Sequence, residues 1–110
     1  MQFIAKAPLY KIIRITGPQH NLLGLQIAPG PMAGMPVIEA LDRPSGEPGQ
    51  LVEREVIEQV MHGVDEASRE LNQTYGIEKI QYISTDSPPV EVYRYLAIEI
   101  LRRVAVVEVT

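Results

Sequence analysis

The chain contains no cysteine. That absence excludes disulfides, thiolate metal sites and cysteine nucleophiles, and it fits a reducing compartment, so a cytoplasmic location is expected. Histidine is nearly missing too: His20 and His62 are the only two, and neither belongs to a His-x-x-x-His or Glu-containing ligand pattern. No metal site and no cofactor is expected. No apolar run approaches the roughly 20 residues that span a bilayer. The stretch Met1-Gln2-Phe3-Ile4-Ala5-Lys6 also lacks the apolar core of a secretory leader, so neither membrane insertion nor export is expected. Basic charge is short as well, with 10 Lys and Arg against 14 Asp and Glu, a net charge of −4. Nucleic-acid binders draw affinity from cations set against phosphates, so this balance points away from nucleic acid. There is no P-loop, no Gly-x-Ser-x-Gly, no internal repeat and no low-complexity segment.

What remains is an ordinary globular composition, 45% apolar and 22% charged over 110 residues, sized for one domain with one core. Leu9 to Thr16 is rich in β-branched residues, closes on Gly17-Pro18, and reads as a strand with Leu9, Ile13 and Ile15 on one face. Leu22 to Ala28 alternates Leu23, Leu25 and Ile27 with smaller or polar neighbours, which predicts a second strand. The two are expected to form an antiparallel hairpin with Gln19-His20-Asn21 at its tip. Three prolines and two glycines between Pro29 and Pro36 predict a loop, and loops of this kind often carry function. Val37 to Leu41 reads as a third strand, and Asp42 to Gly49 as a polar connection.

From Leu51 onward, Val56, Ile57, Val60, Met61, Val64, Ala67, Leu71 and Tyr75 recur at three- and four-residue spacing, the mark of one buried helical stripe. The helix is expected to end at Tyr75-Gly76, with Gly76 as its left-handed terminator and Gly63 marking close packing against the sheet. Its acidic run, Glu53, Glu55, Glu58, Asp65, Glu66 and Glu70, reads as a solvated face. Ile77 to Ile83 predicts a strand. A second helix follows, capped by Asp86 or Ser87, with Pro88 in its first turn and a core stripe of Tyr93, Leu96, Ala97, Ile100, Leu101 and Val104. Arg102 and Arg103 suit its carboxyl end, and the β-branched tail Ala105 to Thr110 suggests an edge strand or a surface for pairing with a second chain. The expected fold is α+β, a two-layer sandwich with a mainly antiparallel sheet and two helices on one face, in the order β-β-β-α-β-α with a possible terminal strand.

Several residues within Leu22 to Val104 carry a family likeness: Gly63-Val64-Asp65-Glu66-Ala67 in the helix, Tyr75-Gly76-Ile77 at the turn, Asp86-Ser87 after the strand, and Leu96-Ala97 in the closing helix. In that order they resemble the fourth domain of elongation factor G, of the ribosomal-protein-like α+β fold. The resemblance implies the fold, and it raises ribosome or RNA contact as one expectation for function.

Ser84, Thr85, Asp86 and Ser87 form the densest polar cluster, at a strand-to-helix junction where backbone N–H groups can hold an anion unless a carboxylate caps them first. His20 and Asn21 at the hairpin tip, and Arg94 in the closing helix, complete a candidate ligand-binding set with Ser84 and Asp86. No catalytic residue is assigned. Carboxylates adjacent on a helix, such as Asp65 and Glu66, point apart and make poor acid–base pairs. A binding or oligomerisation module is the first expectation, working by self-association or with another protein. A small-ligand protein or enzyme using His20, Asp86 and Arg94 is the alternative.

Overall fold

Alternating side chains build the centre of the sheet. In the computed structural model, which describes residues 1–17, 19–30, 34–42 and 51–109, β1 (Gln2–Lys6), β2 (Leu9–Thr16) and β3 (Gln19–Ile27) form an antiparallel meander. They are followed by β4 (Val37–Ala40), α1 (Glu53–Leu71), β5 (Ile77–Tyr82) and α2 (Val92–Val109). The five strands lie in the order β1-β2-β3-β5-β4, and only β4 and β5 run parallel. Parallel neighbours need a crossover, which α1 supplies. Both helices cover one face of the sheet, so the architecture is the expected α+β sandwich.

The core lies between these layers. Tyr10, Ile12, Leu23, Leu25, Ile80 and Tyr82 project from the sheet onto Val56, Val60, Val64 and Ala67 of α1 and onto Tyr93, Leu96, Ala97, Ile100, Leu101 and Val104 of α2. Ile77 joins them although it lies three positions before Ile80, an odd step that alternation alone would turn to the other face. A bulge at Glu78, where Gln26 pairs with Lys79 but Ile27 with Ile77, adds the extra residue that turns both isoleucines inward.

Gly63 packs against α2, not against the sheet. A Cβ there would stand 2.4 Å from the Arg94 carbonyl oxygen and 2.9 Å from Ala97 Cβ, so only glycine lets the two helices approach this closely. Ion pairs lace the same seam: Arg94 to Glu66, and Arg102 to Glu70. Part of the acidic run on α1 therefore binds α2 and is not merely solvated.

Five further expectations are corrected. Gln2–Lys6 is a strand, pairing with β2 through Phe3↔Ile12 and Ala5↔Tyr10. Gln19-His20-Asn21 opens β3 and is not a loop tip; Pro18 of the turn lies outside the described residues. Helix α1 ends at Asn72, whose φ of 52° makes it the left-handed residue in place of Gly76. The tail beyond Ala105 continues α2 to Val109 and is no strand, because extending a formed helix by a valine costs only about 0.5 kcal/mol relative to alanine. Arg102 and Arg103 accordingly sit inside the helix, bound to Glu99 and, for Arg102, Glu70 as well. The proline-rich loop 29–36 is described only in part, with residues 31–33 outside, and residues 43–50 of the polar connection lie outside as well.

Candidate functional site

β5 stops at Tyr82 while β3 continues to Gln19, so the first residues of β3, paired with β2 on one side, have no strand on the β5 side. The segment 83–87 fills that place. Leu22 donates its N–H to Asp86 Oδ2 at 2.7 Å, and Ser87 donates its N–H to the His20 carbonyl at 3.2 Å. The Asp86 carboxylate thus stands in for the carbonyl of a missing strand.

Asp86 is fully buried and also accepts the Tyr93 hydroxyl at 3.2 Å. Asn21, 2% exposed, donates its amide to the Ser87 carbonyl at 2.8 Å and to the Tyr93 hydroxyl at 3.4 Å. Burial pushes the Asp86 carboxyl above its ordinary value, against the lowering effect of the Leu22 and Tyr93 hydrogen bonds. Its other oxygen, Oδ1, has no hydrogen-bond partner among the described residues, and His20 Nε2 stands 3.7 Å from it at the surface. Tyr93 is held well above the usual tyrosine range, first by burial, with the Asp86 charge adding to it.

A second carboxylate braces the same turn from outside. Asp42, just past β4, accepts the Ser84 N–H at 2.9 Å, the Ser84 hydroxyl at 2.8 and 2.9 Å, and the Thr85 hydroxyl at 3.1 Å. Partial burial raises its carboxyl, but these donors outweigh it and hold the pKa at about 2.

The fold therefore brings His20 and Asn21 to the segment of Asp86, more than 60 residues away in sequence, while Ser84 is turned to Asp42 instead. Arg94 does not join them: its guanidinium pairs with Glu66 and lies 5.3 Å over the Tyr95 ring. Neither Asp86 nor Ser87 caps α2. That helix starts at Val92 after a turn in which Val92, Tyr93 and Arg94 donate to the carbonyls of Pro89, Val90 and Glu91. Asp42 and the hydroxyl of Tyr93 were not legible as members of this cluster; Asp42 offers only its place after a strand, and Tyr93 reads as a core aromatic. No three His, Asp or Glu side chains gather at metal-binding spacing among the described residues.

The second feature is the sheet face turned away from the helices. The register sets its side chains in rows: Gln2, Ile13 and Leu22; then Ile4, Lys11, Gly24, Gln81 and Glu39; then Lys6, Leu9, Gln26, Lys79 and Val37. Ile15 follows, 70% exposed, and Val37 is 62% exposed. Ile4, Leu9, Ile13 and Leu22 are half-buried. Tyr10 and Ile12, which alternate with these, belong to the core; the apolar residues without a cover are Leu9, Ile13 and Ile15, together with Leu22. Gly24 makes room for Gln81, whose Oε1 lies 3.0 Å from the place a Cβ would take, while its amide donates to Glu39 at 2.6 Å.

No helix among the described residues is long and apolar enough to cross a membrane. No family model, no curated protein and no solved structure matches the chain. The likeness to the fourth domain of elongation factor G rests on the quoted residues alone.

Proposed function

We propose that the protein is a non-catalytic, cytoplasmic binding module that works by docking the open face of its sheet onto a protein surface, of a second copy or of another chain. One observation carries this reading. Two helices cover one face, yet the other presents Leu9, Ile13, Ile15, Leu22 and Val37 in register with no layer over them among the described residues. Apolar side chains gathered on one exposed face mark an association surface more often than chance scatter does. A cysteine-free composition supports the cytoplasmic placement.

The test is a double variant, Ile13→Ser with Leu22→Ser, compared with the parent chain for solution mass over a concentration series and for proteins captured from lysate. The expected result is an associated species, self or foreign, that disappears in the variant while the circular dichroism spectrum is kept. The same associated species in both chains contradicts the proposal.

A second reading is favoured by the unpartnered Asp86 Oδ1 beside His20. A buried carboxylate oxygen without a donor costs free energy, and a small ligand with an N–H or O–H group would supply one. Ligand-induced shifts at the His20 ring that vanish in Asp86→Asn support this reading; a library of amine and amide fragments that leaves the ring unmoved removes it.

A further inference from the structure

Resting on the reading of the open face as a docking surface, we infer that its occupant is an acidic, partly apolar protein segment and not a second copy of this chain. The distribution of cations carries the inference. All three lysines of the chain, Lys6, Lys11 and Lys79, fall on the open face. None forms an ion pair among the described residues. Four of the five arginines in the helices behave differently: Arg54, Arg94, Arg102 and Arg103 each meet a glutamate, while Arg69 donates to the Asp65 carbonyl.

The carboxylates near the lysines are already engaged. Glu39 accepts the Gln81 amide at 2.6 Å, and Glu78 accepts the Gln26 amide at 2.9 Å. Both carboxylates keep their charge, but neither forms an ion pair with a lysine among the described residues. The register then interleaves cation and hydrocarbon: Lys11 pairs with Ile4, Lys6 with Leu9, and Ile13 with Leu22. A shallow groove between β1 and β2 is lined by Ile4, Lys6, Leu9 and Lys11. A segment that alternates carboxylate and apolar side chains matches this pattern in charge and in hydropathy.

Two copies stacked face to face about a two-fold axis bring six lysines together with only the four carboxylates of Glu39 and Glu78, so cations stay in excess, whereas an acidic segment can answer every lysine. Nucleic acid fits less well. Among the described residues the open face carries neither arginine for bidentate phosphate contact nor an aromatic ring for stacking.

The probe is a labelled random copolymer of glutamate and tyrosine, followed by fluorescence anisotropy with the intact chain at about 20 mM and about 500 mM salt, where the screening length falls from roughly 20 Å to roughly 4 Å. The lysine–tyrosine copolymer is the control. The inference expects saturable binding of the acidic copolymer only, weakened on the order of tenfold by the higher salt or by the triple variant Lys6→Gln, Lys11→Gln, Lys79→Gln. The triple variant touches no core residue and should keep the parent's melting temperature, so loss of binding is not loss of fold. No binding at low salt, or binding indifferent to the three lysines, overturns the inference. A dimer that dissociates in Ile13→Ser, Leu22→Ser without copolymer binding overturns it while leaving the docking face intact. Preference for poly-uridylate or for phosphatidylserine vesicles overturns it too. If neither copolymer nor self-association depends on Ile13 and Leu22, the docking face itself falls.

Discussion

At the scale of single residues, two aspartates hold the turn 83–87 with opposite electrostatic consequences. Asp42 is kept at about 2, below its ordinary 3.8, so its contribution to stability is present above about 3.8 and is lost as pH falls through about 2. Asp86 is shifted upward from 3.8 by burial, so its contribution is fully present below 3.8 and declines as pH rises through the raised folded value. Urea unfolding across pH separates them. Asp42→Asn should flatten the acid limb. Asp86→Asn should keep the bonds from Leu22 and Tyr93 through its amide oxygen, remove a buried charge, and match or exceed the parent's stability at pH 7. A loss of more than about 1 kcal/mol at pH 7 in Asp86→Asn would show that the carboxylate charge is needed there. The sequence made Asp86 visible as a polar residue at a junction. Its partners stayed hidden, because a cap and a strand surrogate use the same side chain, and the choice between them lies with Leu22, 64 residues away.

At the scale of elements, periodicity was the readable signal. β2 matches the predicted Leu9 to Thr16, and α1 and α2 follow their apolar stripes, because a buried face imposes its spacing on the residues that fill it. β1 was not legible. It is an edge strand whose residues are at most half-buried, so it carries little hydrophobic pattern of its own. The tail of α2 was misread for the converse reason: its valines have β propensity, but a helix already nucleated over Tyr93 to Val104 propagates through them. Gly63 was recognised as a packing glycine, and its neighbour had to be found in three dimensions. Gly63→Ala should destabilise the chain by about 3 kcal/mol in urea unfolding, since a methyl 2.4 Å from the Arg94 carbonyl oxygen forces the helices apart. Unchanged stability would mean that α1 and α2 slide past one another at little cost.

At the scale of the whole molecule, the charges are sorted by layer. The 19 residues of α1 carry six carboxylates and two arginines, while the open face on the opposite side of the sheet gathers every lysine. Composition alone shows an acidic chain and hides this asymmetry, because net charge sums over both sides. Leu9, Ile13 and Ile15 were legible as one face of β2, but not which of its two faces the helices cover. One step of strand register decides which alternate set is covered, and that step is fixed by the helices, not by β2. The central claim, that the open face is the docking surface, is tested most directly by amide NMR of the 15N-labelled chain titrated with the glutamate–tyrosine copolymer. The account predicts shifts centred on Ile4, Lys11, Ile13, Leu22 and Lys79, with α1 and α2 unmoved. Shifts centred on α1 or on residues 83–87, or none at all, would contradict it.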